Sequence, residues 1–139
     1  MNIYKYFTFA KSISKFSDFY GDKTSKHVGC VIVYKNKVIA VGWNTSKEHP
    51  LQKEYNRQRD FNVDFCKNSL HAEIYALIRC NYADVEWSKA SIFIYRELAS
   101  GIVAMARPCM ACTKAIRDRG IKTVFYTTEN GYAKEVFGE

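Results

Sequence analysis

The sequence contains few residues that interrupt helices and strands, and its cysteines do not form a complete set of disulfide pairs. It has two prolines and seven glycines among 139 residues, and its five cysteines are an odd number. An odd count excludes a framework in which every cysteine is paired in a disulfide. There is also no repeat, no low-complexity tract and no Pro/Gly/Ser-rich linker. We therefore expect a single domain over 1–139, which is long enough to bury a core without disulfides.

A long apolar run is missing as well. No stretch approaches the ~18–20 residues of a membrane helix, and Asn2, Lys5 and Thr8 interrupt the N-terminal segment too often for a signal peptide. The hydrophobic share of 47% and the charged share of 25% are typical of a soluble globular protein. We expect a cytoplasmic protein with no membrane partner. In such a reducing compartment, spaced cysteines favour metal binding or catalysis.

Positive charge is in excess and unevenly distributed. The net charge is +7. Residues 1–60 hold 11 Lys and Arg against 5 Asp and Glu, whereas 61–139 hold 10 against 9. This balance indicates either an anionic partner, such as a nucleotide or a nucleic acid, or a charge that serves solubility alone.

Hydrophobic periodicity predicts helices alternating with strands. The predicted helices span 2–20, 70–81, 108–119 and 132–137, with a further short one over 52–59, and Ser69 is the expected N-cap of the second. The predicted strands span 28–34, 38–43, 90–95 and 122–127, and 96–107 is predicted to be a loop. Because strand–helix–strand crossovers bring parallel neighbours into one sheet, this order indicates an α/β fold with helices on both faces.

Three potential metal ligands stand near predicted helix starts. Cys109 and Cys112 are three residues apart in the first turn of one helix, so their sulfurs point the same way. His71 lies in the first turn of another helix. If the two N-termini face each other, one imidazole and two thiolates converge, which suits a catalytic Zn²⁺ with one open position.

Glu73 lies two residues after His71 and points in a different direction on the helix. It is therefore an unfavourable ligand but a suitable base for water activated by zinc. Together with Pro108 these residues match the H-x-E … P-C-x-x-C signature of zinc-dependent nucleobase deaminases. Without Glu73 and Pro108, a structural zinc site or unrelated core cysteines would explain the same residues equally well.

The chain resembles the cytidine/deoxycytidylate deaminase superfamily over about residues 20–128. Beyond the zinc motifs, residues 27–33 (HVGCVIV) resemble the first strand of deoxycytidylate deaminases. Residues 42–44 (GWN) resemble the end of the second strand, and 120–124 (GIKTV) the segment after the second zinc helix. The resemblance implies a three-layer α/β/α, cytidine-deaminase-like fold with a mixed sheet of four to five strands.

The resemblance also implies hydrolytic deamination of a cytosine base, foremost of dCMP to dUMP. Zinc-activated water attacks the ring carbon, and Glu73 carries the proton to the ring nitrogen and then to ammonia. Ala72 would offer backbone contacts to the base, and Asn44 would hold the sugar. Homo-oligomers are common among relatives.

The sequence departs from the family around the expected substrate site. The segment from Arg96 to Arg107 is longer than in many relatives, Met105 stands where a threonine is frequent, and the family's fifth strand is expected to be absent. Arg96 and Arg107 are candidate phosphate contacts. The basic and aromatic residues of 44–69 are candidates too, although a solvated loop packed on the core explains most of them.

Other assignments remain open. Cys30 and Cys80 lie in apolar stretches typical of core thiols, whereas Cys66 with His49 could form a second zinc site. Two alternatives to a nucleotide deaminase are a polynucleotide deaminase, acting on single-stranded cytosine or tRNA adenosine, and a non-catalytic zinc-stabilised binding module.

Overall fold

The core of the protein is a five-stranded mixed sheet with the strand order β2-β1-β3-β4-β5. The structure, a computed structural model, describes residues 2–18, 26–57, 69–80 and 84–138. Its strands are β1 (Lys26–Tyr34), β2 (Lys37–Trp43), β3 (Ser91–Leu98), β4 (Thr123–Thr128) and β5 (Gly131–Val136). Its helices are α1 (Ile3–Ser14), α2 (Pro50–Asn56), α3 (Ala72–Arg79) and α4 (Met110–Arg119), with a short 3₁₀ turn at Trp87–Lys89. None of the described helices has the length and apolar character needed to cross a membrane.

Strand directions follow from the connections. β1 and β2 form the predicted hairpin, whose tight turn has positive φ at Lys35 and Asn36. β1 is also antiparallel to β3, so β2 and β3 run in the same direction. The crossover through α4 makes β3 and β4 parallel, as predicted, and β5 returns antiparallel to β4.

The C-terminal segment is a strand, so the predicted helix over 132–137 was wrong and the fifth strand is present. β5 alternates between more and less exposed side chains along its length. It follows a two-residue turn into Gly131, whose φ of 148° suits glycine. A segment this short can match helical and strand spacing alike, and pairing with β4 decides the outcome.

The predicted loop over 96–107 is also partly extended structure. β3 continues to Leu98, and the chain then turns and comes back beside it. The Leu98 N–H donates to the Ile102 carbonyl (2.9 Å), and the Ala104 N–H donates to the Arg96 carbonyl (2.9 Å). We call residues 99–106 the return segment.

Helices cover both faces of the sheet. α1 packs on one face and ends at Ser14, before its predicted end, whereas α3 and α4 contribute to the core on the other face. Glycines allow two of these close approaches. A Cβ atom on Gly29 would lie 1.9 Å from the Ala10 carbonyl oxygen of α1, and one on Gly42 would lie 2.3 Å from the Ala72 carbonyl oxygen of α3.

Candidate active site

Two helix N-termini meet at one end of the sheet. His71 is the N-cap residue of α3 and Cys109 is the N-cap residue of α4. Each follows the region where β2 or β3 ends, and those strands run in the same direction. The predicted N-cap Ser69 was wrong, since Ser69 instead forms a β-bridge with Glu48.

The two N-cap residues, His71 and Cys109, begin their helices through their backbones, while their side chains remain available to bind a metal. The His71 carbonyl accepts from the Tyr75 N–H (3.0 Å), and the Cys109 carbonyl accepts from the Thr113 N–H (2.8 Å). Both carbonyls therefore begin regular helices. The side chains of His71 and Cys109 make no capping hydrogen bond to their own helices. They point instead toward each other and toward Cys112.

The three side chains fit a zinc ion. The His71 Nδ1 atom lies 3.3 Å from the Cys112 Sγ atom and 3.6 Å from the Cys109 Sγ atom. All three ligand atoms lie within 4.8 Å of one another. A tetrahedral zinc ion with bonds of ~2.0–2.3 Å holds its nitrogen and sulfur ligands about 3.5 Å apart. The observed spacing is thus the spacing that zinc requires.

The two thiols differ in acidity. A hydrogen bond from Cys112, together with the neighbouring His71, lowers the pKa of the Cys109 thiol to about 3. Burial and the interaction with Cys109 raise the pKa of the Cys112 thiol. The surroundings of Cys109 thus favour the thiolate, the form of cysteine that binds metals.

Glu73 places a carboxyl group beside these ligands. It is buried in the first turn of α3, with 6% of its surface exposed, and its carboxyl group interacts with the Cys112 thiol. Burial raises the pKa of the Glu73 carboxyl, and His71 partly offsets this effect. Among the described residues, no fourth histidine, cysteine or carboxylate joins the ligand group. A tetrahedral ion held there would keep one position for water or substrate.

Sequence comparison assigns this geometry to a family. The model of the cytidine and deoxycytidylate deaminase zinc-binding region matches residues 3–128. The chain belongs to this deaminase family. The match covers both zinc motifs and the strands β1 to β4, and the predicted Zn²⁺ cofactor is confirmed by the family and by the ligand spacing.

The chain is also similar to a curated protein of Bacillus subtilis. The sequence is 31% identical over 115 residues to ComE operon protein 2 of Bacillus subtilis strain 168. The alignment covers 79% of this chain and 54% of that protein. The chain thus spans about half the length of this curated relative.

Solved structures share the fold. A dCMP deaminase from the cyanophage S-TIM5 superimposes with a TM-score of 0.56 at 25% identity, over 91% of this chain and 82% of that one. RibD from Acinetobacter baumannii superimposes with a TM-score of 0.52 at 19% identity, over 91% of this chain and 28% of that one. The cytidine-deaminase-like fold is therefore confirmed.

A residue that supports the candidate metal site was missed in the sequence. Gln52 of α2 is fully buried, and its Oε1 atom accepts from the His71 backbone N–H (3.0 Å). Its Nε2 atom donates to the Asn56 Oδ1 atom (2.8 Å). Gln52 therefore fixes the start of α3. The only signal in the sequence was a pair of amides four residues apart, which is also typical of a solvated helix face.

The predicted substrate contacts lie in different settings. Asn44 bonds to the backbone of β1, where its Oδ1 accepts from the Val28 N–H (2.8 Å) and its Nδ2 donates to the Lys26 carbonyl (2.9 Å). An amide of this kind retains one donor and one acceptor. Ala72 is buried at the first turn of α3.

The two predicted arginine contacts differ more sharply. Arg107 forms an ion pair with Glu135 of β5 (2.7 Å) and lines a groove of about 520 Å³ between α4 and β5. Arg96 lies on β3, and its guanidinium donates to the Met105 carbonyl (3.1 Å). Arg107 therefore has an acidic partner in the described part of the chain, whereas Arg96 bonds there to a neutral carbonyl.

The remaining cysteines are placed in part. Cys30 and Cys80 are buried in the core as predicted. Cys66 lies outside the described residues, so its predicted zinc site with His49 stays a prediction. His49 is the N-cap of α2, where its Nδ1 atom accepts from the Leu51 N–H (3.0 Å).

Proposed function

We propose that the protein is a zinc-dependent hydrolytic deaminase that acts on the cytosine base of a nucleotide or nucleoside, with the conversion of dCMP to dUMP as the leading reaction. One observation carries the proposal. The buried Glu73 carboxyl lies beside three zinc ligands that leave a coordination position open. A purely structural zinc site closes its fourth position and has no need of an adjacent buried acid.

The chain's own residues would divide the work in the following way. His71, Cys109 and Cys112 would hold the zinc ion, which supplies a Lewis acid that makes water a nucleophile at neutral pH. Glu73 would take a proton from the attacking water and pass it to the ring nitrogen. It would take the second proton in the same way and deliver it to the amino group, which leaves as ammonia.

Positioning of the substrate would fall to the residues around this centre. The backbone of Ala72 would contact the base, and the spare donor and acceptor of Asn44 would reach a sugar hydroxyl. Arg96 and Arg107 would face the phosphate, although the ion pair of Arg107 with Glu135 weakens its candidacy. The likeness to a dCMP deaminase at 25% identity supports a nucleotide substrate.

A polynucleotide deaminase is the second candidate. It is favoured by the charge of residues 1–60, where Lys and Arg outnumber Asp and Glu by 11 to 5. Phosphate contacts of this kind make binding steeply dependent on salt. The third alternative, a binding module without catalysis, is disfavoured by the open three-ligand arrangement.

A deamination screen tests the proposal. Zinc-loaded protein would be incubated with cytosine nucleobase, nucleosides, nucleotides and single-stranded oligonucleotides, and ammonia release would be measured beside a Glu73→Ala variant. We expect release from dCMP by the wild type only. Release from oligonucleotides alone would favour the second candidate. Release from no substrate, with the two proteins indistinguishable, would remove the proposal.

Several predictions of assembly and location accompany the function. The prediction of one deaminase domain is supported by the single sheet with helices on both faces. A homo-oligomeric state and a cytoplasmic location stay predictions.

A further inference from the structure

One arginine joins α3 and α4 at the ends that lie away from the metal ligands. Arg119 is the last residue of α4, and its guanidinium reaches the C-terminal end of α3. The Nη1 atom donates to the Cys80 carbonyl (2.5 Å), and the Nη2 atom donates to the Leu77 carbonyl (2.9 Å). Leu77 lies in the last turn of α3, and Cys80 is the C-cap residue. The guanidinium thus binds α3 where the hydrogen bonds of a helix leave carbonyls over.

The Arg119 side chain matches these acceptors in charge as well as in geometry. The C-terminal end of a helix carries a partial negative charge, which attracts a cation. A guanidinium presents its N–H groups in a rigid, planar fork, so that one side chain can bind two carbonyls at a fixed separation. The charge of Arg119 also opposes the rise that burial causes in the pKa of the Cys80 thiol. These bonds therefore fix a direction as well as a distance between α4 and α3.

Trp87 holds the arginine from the other side. The guanidinium carbon of Arg119 lies 5.0 Å from the centroid of the Trp87 ring, which is a cation–π contact. Gly120 follows Arg119 as the C-cap of α4, and a Cβ atom added to it would lie 3.3 Å from the Trp87 Cβ atom. The half-buried arginine is therefore held between the indole ring and the end of α3.

The lengths of the helices make this distant contact matter at the metal site. α3 has 8 residues and α4 has 10, so they are about 12 and 15 Å long at ~1.5 Å per residue. A tilt of about 5° over such a length moves the far end of a helix by about 1 Å. Metal sites tolerate deviations of only about 0.2 Å in their ligand distances. The position of the C-terminal ends therefore affects whether His71, Cys109 and Cys112 meet at zinc-binding distance.

We propose that Arg119 is a positioning residue for the metal site. By binding the C-terminal end of α3 to α4, it fixes how the two helices lie and so places His71 at zinc-binding distance from Cys109 and Cys112. The proposal rests on the zinc site and not on the proposed reaction, because no substrate takes part in it. The alternative is a purely structural role, in which Arg119 stabilises the fold without any effect on the metal ligands.

Zinc affinity and the spectrum of a cobalt derivative test the proposal. Arg119→Met keeps an apolar side chain and removes the fork, whereas Arg119→Lys keeps the charge. Arg117→Met is the matched control, since Arg117 is an exposed arginine of the same helix whose guanidinium carbon lies 4.7 Å from the Phe137 ring centroid. The full-length proteins would be compared at a temperature at which circular dichroism shows each one to be folded. Competition with a chelating dye gives the zinc affinity, and absorption is recorded with Co²⁺ in place of zinc.

We expect the loss of the fork to be felt at the metal. Arg119→Met should weaken zinc binding about 10-fold, as removal of a group that orients a ligand does. Its Co²⁺ spectrum should differ from that of the wild type in the bands that report thiolate coordination. Arg119→Lys should bind zinc about 3-fold more weakly than the wild type, because an ammonium lacks the planar fork. Arg117→Met should stay within about 2-fold of the wild-type affinity, with an unchanged spectrum.

The outcomes distinguish positioning of the ligands from stability alone. Wild-type zinc affinity and an unchanged Co²⁺ spectrum in folded Arg119→Met, even with a lower melting temperature, would overturn the proposal. An equal loss of affinity in Arg117→Met would overturn it as well. If Arg119→Met does not fold, Arg119→Lys decides, since weaker zinc binding supports the proposal and wild-type affinity contradicts it. Failure to deaminate any substrate would remove the proposed function and leave these measurements unaffected.

Discussion

The two faces of the sheet have opposite compositions. The face under α1 is aromatic, where Phe93 and Phe125 stack with ring centroids 4.5 Å apart and Tyr6 and Phe7 pack on Phe93. The core between the other face and the helices α3 and α4 consists mainly of aliphatic and small residues, and the alanines of the two helices contribute to it. Small residues let helix backbones come close to a sheet. The chemistry therefore lies on the face where helix ends can be brought together.

In the part of the chain that the structure describes, each face also buries one carboxylate, and the two have different partners. Glu97, on the α1 face, accepts from the Tyr95 hydroxyl (3.0 Å) and pairs with Lys15. Burial and Glu97 raise the pKa of Tyr95 to about 12, so its hydroxyl stays a donor. Glu73 contacts the zinc ligands instead. Burial alone thus does not mark a catalytic acid, and its neighbours distinguish the two roles.

The largest expected effect comes from exchanging these carboxylates for amides. Glu73→Gln should lower kcat about 10²- to 10⁴-fold, because an amide cannot carry a proton during the reaction. Glu97→Gln keeps an acceptor for Tyr95 and should leave kcat within about 2-fold. Steady-state kinetics on the best substrate of the screen gives both values. Comparable losses of kcat in Glu73→Gln and Glu97→Gln would contradict the assignment of the reaction to the face under α3 and α4.

The next largest effect, on stability, is expected from adding a methyl group to the strand beneath α1 or beneath α3. Gly29→Ala and Gly42→Ala each force a Cβ atom into helix backbone, and should lower the free energy of unfolding by about 3 kcal/mol. Thermal or urea unfolding measures the loss. Gly138→Ala is the matched control, since nothing lies within 4 Å of its added Cβ atom.

Zinc affinity should also differ between the two glycine variants, because only one of the two glycines lies beneath a helix that carries a zinc ligand. Gly42 contacts α3, so its variant should also weaken zinc binding, whereas folded Gly29→Ala protein should keep the wild-type affinity. Competition with a chelating dye measures this difference. Equal zinc affinities in the two variants would show that the close approach of α3 does not position the ligands.

A smaller effect is expected at Gln52. Gln52→Leu removes the acceptor of the His71 N–H and should cost about 1–2 kcal/mol of stability. It should also weaken zinc binding about 10-fold, as loss of a group that orients a ligand does. The exposed neighbour Lys53 provides the control variant Lys53→Ala. Unchanged zinc affinity in Gln52→Leu would reduce its role to packing.

The zinc motifs were predictable because their chemistry is local. His71, Glu73, Cys109 and Cys112 carry their spacing in the sequence, and two helix starts bring them together. His71 and Cys109 are N-cap residues of these helices and not, as predicted, first-turn residues. The hairpin of β1 and β2 and the parallel β3–β4 pair were predictable for the same reason. Each depends on short-range periodicity and on the handedness of crossovers.

What could not be predicted depends on contacts between distant segments. β5 is a strand because β4 offers it a partner, and the return segment is extended because it lies beside β3. Gln52 holds the start of α3 through a hydrogen bond to a residue 19 positions away. Local spacing contains no information about such partners, and polar residues give no sign of being buried.

The N-cap positions of α3 and α4 carry a stability deficit. Serine or aspartate at such a position stabilises a helix by about 1 kcal/mol relative to a side chain that does not cap. His71 and Cys109 forgo that gain at both helix starts, side by side. Selection for folding alone would not keep an imidazole and a thiol there. The two helices are thus individually weaker than they need to be, and this is a trade-off between stability and metal binding located at a single pair of residues.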